Sequence, residues 1–153
     1  MSETATVPDT GTRMPDIALV SPDGNRSSLH AVRNGSRAIA YFLRADTCPI
    51  CLKHAAALAT LAEDGRLGNT SVILIVPGDI DQAGTVAGKI PSAAVTAWAS
   101  GSGHAAAGLG VFLSLQHSGT FLIAPDGTVE YRRTSALPPR SMDRKELLEA
   151  IAR

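Results

Sequence analysis

The chain predicts one α/β domain, and three observations carry that expectation. Residues 37–44 and 71–76 are strand-sized runs, apolar on both faces, as a strand covered from both sides requires. Between them, from Cys48 to about Glu63, Ile50, Ala57, Leu58 and Leu61 recur at helical spacing. Strand, helix and strand at this length read as a βαβ unit with a right-handed crossover. Towards the C-terminus, residues 120–124 and 129–133 read as strands joined by a hairpin turn at Pro125-Asp126-Gly127-Thr128.

The remaining elements follow in chain order. Residues 1–13 read as a flexible arm, and 14–153 as a single domain. Residues 16–20 predict a strand, Ser21-Pro22-Asp23-Gly24 a turn, and the chain to about Leu29 a second short strand, so the domain opens on a β-hairpin. Asp64-Gly65 and Gly68-Asn69 end the first long helix, and Pro77-Gly78 ends the strand 71–76. Residues 80–99 read as a loose helical region broken by Pro91, and 103–110 as a short helix. Ser141 is the expected cap of a last helix over 142–152, with Asp143 near its positive end.

Composition narrows the function. Lys and Arg number 14 and Asp and Glu 14, so no basic excess points to nucleic acid. The longest apolar runs are strand-sized, which predicts no membrane helix. Residues 1–11 contain neither a basic nor an apolar segment. Taken as the native start, they predict no secretory signal and a cytoplasmic protein. In that compartment a lone cysteine pair is more often catalytic or metal-binding than structural.

The chain has two cysteines, and they form Cys48-Pro49-Ile50-Cys51 between a strand and a helix. That layout suits a reversible dithiol. Cys48 falls at the helix N-terminus, where free N–H groups and the helix dipole favour a thiolate, so it is the expected attacking residue. Cys51, one turn in, would resolve the mixed disulfide. Arg44 could lower a thiolate pKa or orient a peroxide. Thr47 or Asp46 could cap the helix, and Asp46 could shuttle protons. Cys48, Cys51 and His54, with His117 from a distant loop, form an alternative ligand set for zinc or copper. His30 and His104 read as loop residues without chemistry, and Trp98 as a packing or interface residue. Small residues in 92–111 suit close packing of two copies as a homodimer.

Three segments carry a resemblance along nearly the whole chain. They are Met14-Pro15-Asp16-Ile17-Ala18-Leu19 ahead of Asp23-Gly24, Tyr41-Phe42-Leu43 leading to Thr47-Cys48-Pro49-Ile50-Cys51, and residues 120–129. In them the chain resembles the thioredoxin-fold superfamily, in its alkyl-hydroperoxide-reductase/thiol-specific-antioxidant and redoxin branch. The resemblance implies a thioredoxin-like fold, a central mixed sheet flanked by helices. It implies a peroxiredoxin-like thiol-disulfide oxidoreductase with no bound cofactor. Electrons would come from a thioredoxin- or glutathione-type donor and pass to a hydroperoxide or a disulfide.

Catalytic roles would fall to Cys48, Cys51, Arg44 and Thr47, with Pro49, His117 and Ser118 lining the substrate. Two departures from the family pattern are visible. The peroxidase pattern Pro-x-x-x-Thr-x-x-Cys, laid on Cys51, finds Arg44 and Cys48 in place of its proline and threonine, so on that pattern Cys51 attacks and Cys48 resolves. The segment His117-Ser118-Gly119-Thr120 carries neither the proline nor the arginine usual before the third strand of the core. Loss of chemistry altogether, leaving a redox-inactive binding protein, is the third reading.

Overall fold

The computed structural model describes residues 6–112 and 115–153. Its strands are β1 (Ala18–Val20), β2 (Arg26–Ser28), β3 (Ala38–Phe42), β4 (Ser71–Val76), β5 (Val95–Ala99), β6 (Val111–Phe112), β7 (Leu115–Gln116), β8 (Ser118–Ile123) and β9 (Val129–Ser135). Its helices are α1 (Leu29–Arg33), α2 (Pro49–Glu63), α3 (Ile80–Lys89) and α4 (Arg144–Ala152), with 3₁₀ turns at 103–107 and 138–140.

Seven strands make one mixed sheet in the order β2-β1-β5-β4-β3-β8-β9. The predicted α/β architecture is present: β3 and β4 pair in parallel around α2, and β8 runs antiparallel to β3 on its other side. Strand alternation explains why β3 and β4 are apolar on both faces. Ile39, Tyr41, Val72, Leu74 and Val76 enter the core beneath α2, α3 and α4, while Ala38, Ala40, Phe42, Ile73 and Ile75 enter a second core beneath α1 and the 103–107 turn. The N-terminal hairpin β1–β2 is joined to the sheet by one pairing, Val20 with Ala99.

Three expectations change. The loose helical region 80–99 is a helix and a strand. α3 ends at Lys89, and Val95–Ala99 form β5, parallel to β4 with Ile75 opposite Trp98. Pro91 ends the helical pattern, and the β-branched and aromatic Val95, Thr96 and Trp98 then suit the pleated sheet. Trp98 packs partly buried against the second core, as a packing residue.

The cap of α4 is Asp143, whose carboxylate accepts from the Glu146 amide at 2.9 Å. Ser141 is too far from the helix start to cap it, because the 138–140 turn comes first. It is fully buried and bonded elsewhere.

The arm read as flexible is, over residues 7–13, docked on the fold; residues 1–5 lie outside the described residues. Gly11 N–H donates to the Val129 carbonyl at 2.8 Å, Val129 N–H to Thr12 at 2.8 Å, and Arg132 pairs with Asp9 at 2.8 Å. Val7 presses on Gly108, where a Cβ would stand 2.3 Å from the Val7 nitrogen. Gly108 also has φ +80, so glycine is required there twice over.

Candidate active site

The site forms where β3 ends. Leu43 continues the strand direction and donates its N–H to Ile75 O at 2.8 Å. The chain then turns through 44–47, closed by Cys48 N–H to Ala45 O at 3.3 Å. Cys48 is the N-cap of α2: its backbone is extended (φ −74, ψ 110), and its Sγ accepts the Cys51 amide at 3.3 Å. Pro49 takes the first helical position, where a missing N–H costs nothing. Thr47 and Asp46 are therefore not the cap. Thr47 is exposed, and Asp46 offers its backbone carbonyl to Lys89 Nζ at 3.4 Å.

Both sulfurs are free thiols, and both are buried. Their electrostatics are opposite. Burial raises the Cys48 pKa, but hydrogen bonds from the Cys51 thiol and amide, with the Arg44 guanidinium beside it, outweigh that and hold it below the ordinary thiol value. Burial pushes the Cys51 thiol up, and the negative charge favoured at Cys48 pushes it the same way. The Arg44 amide donates to Cys51 Sγ at 3.3 Å, which only partly offsets these. Arg44 thus serves both sulfurs, by its side chain and by its backbone. Among the described residues its Nε has no partner.

Behind the pair lies a buried polar cluster. Tyr41, fully buried on β3, meets Ser141 Oγ at 3.2 Å. Ser141 Oγ donates to Pro138 O at 2.8 Å, and Thr120 Oγ1 donates to Ser141 O at 2.8 Å. The His54 and Tyr41 rings stand nearly perpendicular with centroids 6.0 Å apart, and His54 Nε2 lies 3.1 Å from Pro138 O. Burial holds the His54 pKa below the ordinary value, so the ring is neutral and donates to that carbonyl.

Ser118 is fully buried, and its hydroxyl has no partner among the described residues. Alternation along β8 puts it on the face of Thr120 and Leu122, the same face as the cysteines. His117 precedes the strand with a buried Nε2 that has no partner among the described residues. The alternative metal set is not assembled. Among the described residues no three His, Cys, Asp or Glu side chains converge, so His54 and His117 do not join the two sulfurs. His54 is spent on Pro138 instead.

His104, which reads as a loop residue in the sequence, is part of the structure behind the site. It is 1% exposed, with Nδ1 2.7 Å from Ser100 Oγ and Nε2 2.9 Å from Leu43 O. Burial lowers its pKa to about 4, so the ring is neutral. It donates to Leu43 and accepts from Ser100, and its ring stands edge-on to Phe42 at 5.0 Å. The small residues around it, Gly101 to Gly103 and Ala105 to Ala107, are the one signal of close packing there. A Cβ on Gly103 would lie 2.8 Å from Ile17.

Two grooves flank the helix and the sheet. One of about 490 Å³ runs along α2 past Ile50, Lys53, His54, Pro139, Met142 and Arg144. A larger one of about 800 Å³ lies by β1 and the Pro77–Asp79 loop and touches neither cysteine. No described helix is long and apolar enough to cross a membrane.

Residues 10–132 match the model of the AhpC/TSA family. No curated protein matches the chain. Among solved structures, peroxidoxin BcpB from Mycobacterium tuberculosis is 20% identical, with 95% of this chain and 97% of that chain covered and a TM-score of 0.74. A peroxiredoxin-like protein from Aquifex aeolicus superposes at a TM-score of 0.81 with 11% identity, covering 97% and 89%. A thiol peroxidase from Chromobacterium violaceum gives 0.77 at 11% identity, covering 99% and 90%. At these identities the likeness establishes the thioredoxin-like fold.

Proposed function

Because the chain belongs to the AhpC/TSA family and is a peroxiredoxin-like oxidoreductase, we propose that it reduces hydroperoxides with Cys48 as attacking thiolate and Cys51 as resolving thiol. The observation that carries the assignment is the place of Cys48 at the N-cap of α2, where its Sγ accepts the Cys51 amide at 3.3 Å, with Cys51 fully buried one turn in; the thiolate is favoured at Cys48 and disfavoured by burial at Cys51. The nucleophile is the thiolate, so the sulfur that ionises first attacks first. This polarity is the reverse of the family's peroxidase pattern, which falls on Cys51.

The cycle balances as follows. The Cys48 thiolate attacks the terminal peroxide oxygen; the S–O bond forms, the O–O bond breaks, and the departing alkoxide or hydroxide takes a proton. Cys48 is then a sulfenic acid. The Cys51 thiolate attacks that sulfur, forming the disulfide and releasing the oxygen as water. Two electrons from an external thiol donor restore the dithiol. Arg44 Nε and the Ser118 hydroxyl, buried and without a partner among the described residues, are the polar groups assigned to the peroxide oxygens. Pro49, exposed at the helix start, borders the approach.

A thioredoxin- or glutathione-type donor and a cytoplasmic location belong to the same proposal. Their support is the Cys48/Cys51 pair itself, since a cycling dithiol needs an external reductant and a reducing compartment suits it. A homodimer through 92–111 has as its support the exposed Val111 and the small residues there; light scattering on the purified chain tests it.

The deciding experiment is the rate at which reduced, metal-free protein loses its thiols to one equivalent of hydrogen peroxide, with a sulfenate-trapping reagent. Cys51→Ser should accumulate a trapped sulfenate on Cys48, at a rate orders of magnitude above a small free thiol. Trapping only when Cys51 is intact would exchange the two roles. A rate like the free thiol's would replace the peroxide by a disulfide substrate.

A further inference from the structure

A chain of hydrogen bonds that the cycle above does not use ends on the sulfur of Cys51. His104 Nε2 lies 2.9 Å from Leu43 O, and His104 Nδ1 lies 2.7 Å from Ser100 Oγ. A carbonyl oxygen only accepts, so Nε2 carries the proton, and Nδ1 of the neutral ring takes one from Ser100. At the other end, the Arg44 amide donates to Cys51 Sγ at 3.3 Å. The Leu43 carbonyl and the Arg44 amide are the two halves of one peptide group. That group is trans and planar, so its oxygen and its hydrogen point to opposite sides. The imidazole holds the peptide from one side, and the Cys51 sulfur meets it from the other.

Sharing one peptide couples the two bonds. Turning the peptide plane breaks both together, so the bond from His104 fixes where the Arg44 N–H points. A donor on the carbonyl oxygen also makes the N–H a better donor, since hydrogen bonds in a chain polarise one another. A thiolate at Cys51 gains from both effects, because Cys51 is fully buried and the Arg44 amide is a fixed backbone donor to its sulfur. The ring itself is held rigidly. It is 1% exposed, stands nearly perpendicular to Phe42 with centroids 5.0 Å apart, and follows Gly103, where a Cβ would lie 2.8 Å from Ile17.

We propose that His104 is a positioning residue for the resolving step: through the Leu43–Arg44 peptide it aims and strengthens the amide that stabilises Cys51 as the disulfide closes. His104 touches neither sulfur and gives them no proton. The inference rests on the reading of Cys51 as the resolving thiol.

The test uses the full chain, reduced, as wild type, His104→Gln and His104→Leu. The Gln amide can still donate to Leu43 O, and the Leu side chain cannot. The Arg44 amide proton is followed by NMR. After hydrogen peroxide, sulfenic acid and disulfide are followed separately by mass in acid-quenched samples. In His104→Leu the Arg44 amide proton should move upfield. Closure should slow about threefold at neutral pH, the loss of one hydrogen bond to the thiolate partly offset by its greater nucleophilicity. The peroxide step at Cys48 should keep its rate. In His104→Gln both readouts should return towards wild type.

A loosened loop would slow both steps, because the Arg44 guanidinium serves Cys48; that result overturns the proposal. So does an unmoved Arg44 amide in His104→Leu, or equal effects of Gln and Leu. Should His104→Leu fail to fold, Cys51→Ala carries the test from the other end: the His104 Nε2 signal should shift together with the Arg44 amide, and an unmoved Nε2 overturns the coupling. If wild-type Cys48 reacts no faster than a free thiol, the peroxide reading fails. Closure is then timed from a mixed disulfide on Cys48 made with a small aromatic disulfide, and the same comparison decides on His104.

Discussion

His104 Nε2 donates to the Leu43 carbonyl oxygen at 2.9 Å, and Leu43 is the residue from which the chain turns towards Arg44 and the thiols. Sixty-one positions separate the two in sequence. The bond joins the turn after β5 to the end of β3, and the Ser100 hydroxyl at 2.7 Å fixes the far side of the ring. The loop that carries Arg44 is thus anchored at its root by a neutral imidazole.

That anchor makes stability depend on pH. The His104 pKa is lowered from 6.5 to about 4 in the folded chain. Between these values the unfolded chain binds the extra proton, so stability is fully present above the unfolded value and falls as pH drops through this window. The loss should reach about 3 kcal/mol at pH 4, taking ~1.4 kcal/mol per pH unit. Urea melts of wild type and His104→Asn from pH 7 to pH 4 should show a shallower slope for the variant.

Arg44→Met should raise the Cys48 pKa, because it removes the guanidinium that favours the thiolate. At neutral pH the reaction of Cys48 should slow about tenfold if that pKa rises by about one. The wild-type rate should level off at a pH below the ordinary thiol range, and that plateau should move up in the variant. A pH profile of thiol alkylation reads both.

Asp143→Ala removes the α4 cap and should cost about 1 kcal/mol in denaturant melts. Ser141→Ala should cost at least as much although Ser141 does not cap α4, since it leaves the Tyr41 hydroxyl without its Ser141 acceptor in the core and removes the bond to Pro138 O.

Gly108→Ala should destabilise by about 2 kcal/mol, from its positive φ and the clash with Val7. In a chain lacking residues 1–8 the clash is gone and only the backbone strain remains, so the cost should shrink. Equal costs in both backgrounds would mean that the N-terminal segment does not press on Gly108 in solution.

What the sequence makes legible is local or two-sided. β3, β4 and α2 can be read because burial from both faces leaves no charged position in 38–42, and because Cys48 and Cys51 fall together at a helix start. β5 cannot, since Ala97 and Ala99 suit a helix as well as a strand; what makes them a strand is pairing with Leu74 and Val76, a fact about another part of the chain. Thr47 and Asp46 are the expected caps of α2 because hydroxyl and carboxylate side chains usually take that position. Here the sulfur of Cys48 takes it, set by the turn from Ala45. His104 reads as a loop residue because its partners, the Leu43 carbonyl and Ser100, are brought to it only by the sheet.

The Cys48 sulfur holds two offices at once. It is the proposed point of attack, and it is also the acceptor that quiets the Cys51 amide at the start of α2. In the proposed cycle the electron density on that acceptor changes, from thiolate to sulfenic acid to disulfide, and the strength of this one bond should change with it. Hydrogen exchange at the Cys51 amide should therefore report the oxidation state of Cys48, independent of any dye or thiol reagent.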